Sequence, residues 1–241
     1  MGRRLPAMVA GSRIPPHQMH MSRLSRLLTA AASLLLLILY VTPLWRISLI
    51  APQYPEGLGM RIWIHKLGGV KEYDLDNINQ LNHYIGMRVI DPQAIPELRY
   101  MPWVLAALIG AGLVVAFLGR RRVLYAWVAA FVVAATAGLL DFWKWTYDYG
   151  HNLDWENAII KVPGTVYQPP IIGTKQILNF TATSWPDVGG VAAGVAMALA
   201  FAAVVVARRE GARPAGARER AALAEARRRA TPARPATARG S

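Results

Sequence analysis

The chain contains no cysteine. That absence removes structural disulfides, thiolate metal sites, iron–sulfur clusters, thiol redox motifs and a lipid-bearing cysteine together. Acids are also scarce, 14 against 27 lysines and arginines. Lysine, arginine, glutamate and histidine are missing from all four long apolar runs, and Asp141 stands at the end of one of them. A proton- or ion-coupled transporter keeps ionisable groups at mid-membrane, where it must handle charge. A membrane cytochrome b carries histidines within its helices as haem ligands. Neither class fits.

What the chain does have is apolar length. Of its 241 residues 54% are hydrophobic and the mean hydropathy is +0.25, which suits a membrane protein. The run Leu27 to Val41, extended to Trp45, predicts a first transmembrane helix over 27–45, close to the ~20 residues a span needs. A cleaved signal peptide is the competing reading. However, no small-x-small site follows the run; Pro43, Trp45 and Arg46 do. Runs at 101–118 and 123–142 are separated only by Gly119 and Arg120-Arg121-Arg122, which predicts a tight helical hairpin with its turn at 119–122. The fourth run, 188–207, is rich in Ala, Gly and Val. Its Gly190, Gly194 and Ala198 recur every four positions, a spacing for close helix packing, with a merely alanine-rich span as the alternative.

Charge predicts orientation. Segment 1–26 carries +5, the turn 119–122 carries +3 and the tail 208–241 carries +7. The loops 46–100 and 143–187, with Asp141, carry −2. All the excess positive charge is on one side, so both termini are expected in the cytoplasm of a bacterium and both loops on the periplasmic face of the inner (plasma) membrane. The basicity then needs no nucleic acid. The expected architecture is an all-α membrane protein: four transmembrane helices under an ordered periplasmic cap made by two long loops. Its expected partners are membrane lipid and a periplasmic or membrane protein. The Ala/Arg-rich tail reads as disordered, with a basic surface helix over 217–230 as the alternative. His17, Met19, His20 and Met21 look like a soft-metal cluster, but Met21-Ser22-Arg23-Leu24 would make a natural start, and residues 1–20 are read as dispensable.

In the first loop, Ala51 to Met60 holds two prolines and two glycines, which favour a bent, compact backbone. Met60 to Ile64 alternates like a strand. Asp74 to Tyr84 has helical spacing of Leu75, Ile78 and Leu81, with Asp74 or Asp76 as a cap and Gly86 as a terminator. His83 and Met87 are four apart and would share a helical face. An imidazole and a thioether suit Cu(I), although a histidine simply hydrogen-bonded in the loop is the plainer reading. The second loop opens with Trp143, Trp145, Tyr147 and Tyr149, an aromatic belt at the membrane interface. Asp148, His151 and Asp154 are three apart and could meet on a helical face or around Gly150. Hard-metal binding, general-base work and helix capping are all open to them. No nucleophile accompanies them, so no enzyme is expected. Two proline–glycine bends, 162–164 and 168–173, stiffen the rest, and the loops are expected to pack on each other.

The peptides APQYPEGLGM and LNHYIGM in the first loop, and YDYGHNLD, VPG, YQPPIIG and KQILNF in the second, occur in the same order as in a known group. Residues 46–190 resemble small polytopic membrane proteins that accompany nitrous oxide reductase and its copper-delivery factors in some bacteria. That family has no assigned reaction. The resemblance implies an accessory role in nitrous oxide reduction: maturing a periplasmic copper enzyme, or supplying it with copper or electrons. By position it marks Gln53, Tyr54, Glu56, His83, Tyr84, Met87, Asp148, His151, Asn152, Asp154, Gln168 and Lys175. His83, Met87 and His151 are the candidate copper ligands on their chemistry, copper being a transient passenger rather than a resident cofactor. The other nine are candidates for partner binding or for building the cap. A metal-free scaffold that docks a partner through the same loops is the alternative. An enzyme acting on lipid or quinone through Lys144, Asp148 and His151 is the third reading. The orientation has a direct check. A phosphatase fused within 143–187 is expected to be active, and an inactive fusion overturns the assigned sides.

Overall fold

A computed structural model describes residues 20–211. Four of its helices are long and apolar enough to cross a membrane. The first, α1 (Arg23–Leu35), begins where the Ser22 hydroxyl accepts the Ser25 N–H at 3.2 Å. It continues as a 3₁₀ turn, Leu36–Tyr40, and stops there. The sequence expectation ran on to Trp45, but Pro43 turns the chain and Trp45 opens a strand instead. Helices α3 (Glu97–Leu118) and α4 (Arg121–His151) form the expected hairpin. Gly119, with φ +63°, closes α3 in the left-handed conformation. The Arg26 guanidinium donates to the Ala116 and Phe117 carbonyls at 2.7 and 2.9 Å, satisfying the end of α3. The last helix is α5 (Val188–Gly211).

Helix α1 packs between α5 and α3. Its Ser25, Thr29 and Ser33 are fully buried, with the Ser25 hydroxyl donating to the Ala203 carbonyl at 2.9 Å. The facing stripe of α5 is Ala192, Ala196, Ala200, Ala203 and Ala207, all buried. Close packing by small residues is therefore present, but on a different face from the one expected. Gly194 and Ala198 are exposed, while Gly190 lies beneath the Leu44 carbonyl. The start of α1, the α3–α4 turn and the end of α5 gather at one end of the bundle. Met21 N–H donates to Gly119 O at 2.7 Å, and Arg121 lies 4.0 Å from Glu210. Arginines 23, 26, 120–122, 208 and 209 thus share that end. The His17–Met19 part of the soft-metal cluster and the 217–230 segment lie outside the described residues.

The other end corrects the all-α expectation. The two loops build one five-stranded antiparallel sheet in the order β3-β2-β1-β5-β4. Strands β1 (Trp45–Ala51), β2 (Tyr54–Ile62) and β3 (Leu67–Gly69) come from the first loop; β4 (Gly173–Ile177) and β5 (Phe180–Pro186) come from the second. Each of β1 and β5 lies beside a membrane helix in sequence and, Trp45 apart, within the stretches expected as loops. Ala51 pairs with Tyr54 around Pro52-Gln53, so the proline–glycine peptide is a hairpin and strand rather than a compact coil. Helix α2 (Asp74–Tyr84) packs on β2, with Leu58, Met60 and Ile78 as a buried core. Asp74 is its first helical residue, not its cap. The buried carboxylate reaches back to accept the Gly59 and Lys71 N–H groups at 2.9 and 3.1 Å.

Helix α4 also runs past the predicted 142 to His151. At 31 residues it is about 46 Å long, well over the ~30 Å of a bilayer core. The aromatic run is therefore a helical post, not a loop. The packing face of α5 gives a stability prediction. Ala200→Leu should lower the thermal midpoint of the detergent-purified protein, since overpacking costs about 1–3 kcal/mol. Ala198→Leu, on the exposed side, should leave it nearly unchanged. Equal effects would overturn the assigned face.

Candidate functional site

The motif peptides converge where α4 leaves the bundle. Its aromatics form two columns rather than one belt. Trp143 and Tyr147 are exposed, and Tyr147 stacks on His151 with ring centroids 3.8 Å apart. The Nδ1–H of His151 donates to the Tyr147 carbonyl at 3.0 Å. On the inner side Trp145 and Tyr149 pair at 5.7 Å, and the Tyr149 hydroxyl donates weakly to Val89 O at 3.4 Å.

Gly150 is the joint of the second loop. A Cβ there would sit 2.4 Å from the backbone of Gln168, which crosses the helix at this point. Tyr167 N–H donates to Gly150 O at 3.0 Å, and Lys175 Nζ donates to Gln168 O at 3.2 Å. The first loop joins at Gly86. Helix α2 ends there in a Schellman turn: Met87 N–H donates to Asn82 O at 2.9 Å, Gly86 N–H to His83 O at 3.3 Å, and Gly86 has φ +76°. Asp154 N–H then donates to Gly86 O, and Ile160 N–H to Tyr84 O, both at 2.8 Å. The two loops are thus one folded unit.

The candidate ligands are distributed by this geometry. His83 is exposed at the end of α2. Met87 lies beyond the turn at Gly86, so the pair does not share a continuous helical face. Its side chain packs against a core of Ile85, Tyr167, Ile177 and Ala182. Asp148 and His151 are on α4, one turn apart, while Asp154 lies past the helix end. The Asp154 carboxylate is committed to its own turn. Oδ1 accepts the Glu156 and Asn157 N–H groups at 3.2 Å each, and Oδ2 accepts the Asn157 amide at 2.7 Å. Hydrogen bonds from Asn157 hold this carboxyl below the usual carboxylate range. Among the described residues, no group of three or more histidines and carboxylates could hold a metal.

The remaining marked residues are mostly structural. The Tyr54 hydroxyl reaches Asn77 at 3.4 Å, Gln53 and Glu56 are exposed around the hairpin, and Asn152 closes α4. Sequence reasoning missed the surface that the junction creates. Tyr84 (46% exposed) and Ile159 (63%) lie with Trp155 and Ile160 on the adjoining segments 84–87 and 154–160. Four exposed large apolar side chains thus lie on two hydrogen-bonded segments, a grouping of the kind that marks a contact site. The signal in the sequence was WENAII, apolar at both ends of a polar stretch between two marked motifs.

Neither protein-family profiles nor curated proteins yield a match to this sequence. The joint and the turn each give a prediction. Gly150→Ala should lower the thermal midpoint, at about 1–3 kcal/mol for the overpacking. Gly110→Ala, where a Cβ on α3 meets nothing within 4 Å, should be neutral or stabilising by about 1 kcal/mol. For Asp154, a depressed folded-state pKa means its contribution is present above the ordinary carboxylate pKa and lost as pH falls through the lower folded value. Hydrogen exchange at the Asn157 amide should therefore stay slow down through the usual carboxylate range and accelerate only below it. Loss of protection already at neutral pH would overturn the turn's role.

Proposed function

We propose that the chain is a multi-pass accessory protein of the bacterial inner membrane whose cap docks a partner protein in the periplasm. The observation that carries this reading is the grouping of exposed Tyr84, Trp155, Ile159 and Ile160 at the loop junction. Trp155, Ile159 and Ile160 follow the end of α4 in the chain, and α4 rises about 15 Å between Asp141 and His151. Exposed aromatic and aliphatic side chains grouped there, beyond the apolar stretch of the helix, suit a protein contact better than a lipid one. The periplasmic side rests on the uneven charge of the segments flanking the helices. The partner's class rests on the resemblance of the loop motifs. It is a periplasmic copper enzyme such as nitrous oxide reductase, or a factor that matures it or supplies its copper or electrons.

The docking form is favoured over a resident or passing metal by the commitments already described. Asp154 accepts three hydrogen bonds within its own turn, and Met87 packs in an apolar core. Two measurements test the reading on the full chain. Tyr84→Ser/Ile159→Ser should weaken co-purification with the copper enzyme or its delivery factors by about tenfold or more. His83→Ala/His151→Ala should leave it unchanged. A Cu(I) competition titration is the counter-test. Stoichiometric binding by the parent protein, lost in the double histidine variant, would replace docking with copper handling.

A further inference from the structure

Between the cap and the bundle lies a chamber of about 660 Å³, inside the ~300–1,000 Å³ range of small-molecule sites. Its floor is made by membrane helices, with Leu36, Leu105, Phe131 and Met197 among the lining. Its roof is made by the cap, with Met60, Ile85 and Ile177. Small residues create the space: Ala134 and Gly138 of α4, and Ala193 and Gly194 of α5. A Cβ built at Gly194 meets nothing within 4 Å. Val104 of α3 and Leu139 of α4 also line the chamber and are 44% and 49% exposed.

Its chemistry is selective. The lining contains two carboxyl groups, Glu97 and Asp141, and no lysine, arginine or histidine. Two of its polar atoms, Glu97 Oε2 and the Tyr167 hydroxyl, are buried without a hydrogen-bond partner among the described residues. Buried polar groups are normally paired, and walls this apolar do not hold ordered water well. Each is open to a ligand hydroxyl, Glu97 Oε2 as an acceptor and the Tyr167 hydroxyl as donor or acceptor. A phosphate head would meet the carboxyl charge with no cation to balance it.

We propose that this chamber binds a single-chain, neutral lipid with a hydroxyl head, drawn laterally from the membrane, the chain lying among the helices and the head at Glu97 and Tyr167. The site is separate from the docking patch and stands whether or not that reading does. The occupant is one chain because the space is that of one small molecule, and it carries no phosphate because the only charged groups lining the walls are carboxyls.

The test uses the full chain in phosphatidylcholine nanodiscs with a diazirine-bearing monooleoylglycerol, the cross-links being mapped by peptide mass spectrometry. Labelling should concentrate on residues 97–108 and 131–145. Unlabelled monooleoylglycerol should compete, and oleoyl lysophosphatidate, which has the same chain with a phosphate, should not. Gly194→Leu, whose Cβ meets nothing within 4 Å, takes up chamber space and should reduce labelling about tenfold at an unchanged thermal midpoint. Glu97→Gln/Asp141→Asn should let lysophosphatidate compete. Cross-links spread evenly over the lipid-facing helices, equal labelling of Gly194→Leu, or equal competition by lysophosphatidate in the parent would each overturn the site. Better competition by oleylamine than by monooleoylglycerol would overturn the hydroxyl head.

Discussion

The pairing of β1 with β5 is the constraint on which the rest of the molecule depends. Trp45 pairs with Pro186 and Ile50 with Thr181, so a strand that follows α1 is laddered to one that precedes α5. The same two partners are already in contact within the bundle, where Ser25 bonds to Ala203. One continuous interface therefore runs from the basic end of the bundle into the middle of the sheet. Side chains reinforce it at the crossing. Trp45 Nε1–H donates to the Ser184 hydroxyl at 2.8 Å, and that hydroxyl donates onward to the Ile171 carbonyl at 2.9 Å. Arg61 of β2 pairs with Asp187 at 3.3 Å, just before α5 begins. Without this ladder the sheet would fall into two separate hairpins, and isolated hairpins are marginal in water.

With the loops joined, the peptides that stand out in the sequence acquire a common explanation. Gly59 gives its N–H to the buried Asp74; Gly86 turns the end of α2 and receives Asp154; Gly150 lets Gln168 cross α4. At Gly86 and Gly150 a Cβ would stand within 2.6 Å of another segment's backbone. Such approaches admit only glycine without movement of the chain. Asp154 closes a turn and Asn152 a helix. Much of the vocabulary of the two loops is thus the grammar of their assembly. That is a reason to look for function on the surface this assembly exposes and in the space it encloses, rather than in the motif letters themselves.

The helical framework was legible because the apolar runs are long and their breaks abrupt. Gly119 with three arginines can only be a turn between two spans, and the gathering of arginines at one end follows from it. The sheet was mostly hidden. Only Met60 to Ile64 alternated in isolation; β1 is continuous with the first apolar run, and β5 ends two residues before α5 starts. Long-range pairing between residues 131 to 141 positions apart, as in Ile47 with Ser184, leaves no mark in a local window. The extension of α4 was missed because tryptophan, tyrosine and aspartate read as loop or interface, whereas nothing before Gly150 breaks a helix. The i,i+4 reasoning for His83 and Met87 failed at Gly86, a residue whose terminating role was itself legible.

That post gives α4 its importance. A membrane helix of ordinary length would end near Phe142 and leave the second loop to find its own fold. Continued to His151, it carries two different faces into the cap. Trp145 and Tyr149 line the roofed chamber, while Trp143, Tyr147 and His151 stack on the opposite side. Its last turn then holds Gly150, against which the crossing backbone of Gln168 is packed. The chamber wall and the loop junction are therefore parts of one continuous helix. Their spacing is set by the 1.5 Å rise per residue rather than by flexible chain. A change in the packing of α4 against α3 or α5 would be carried along that helix to the junction, because no break in the helix separates the two.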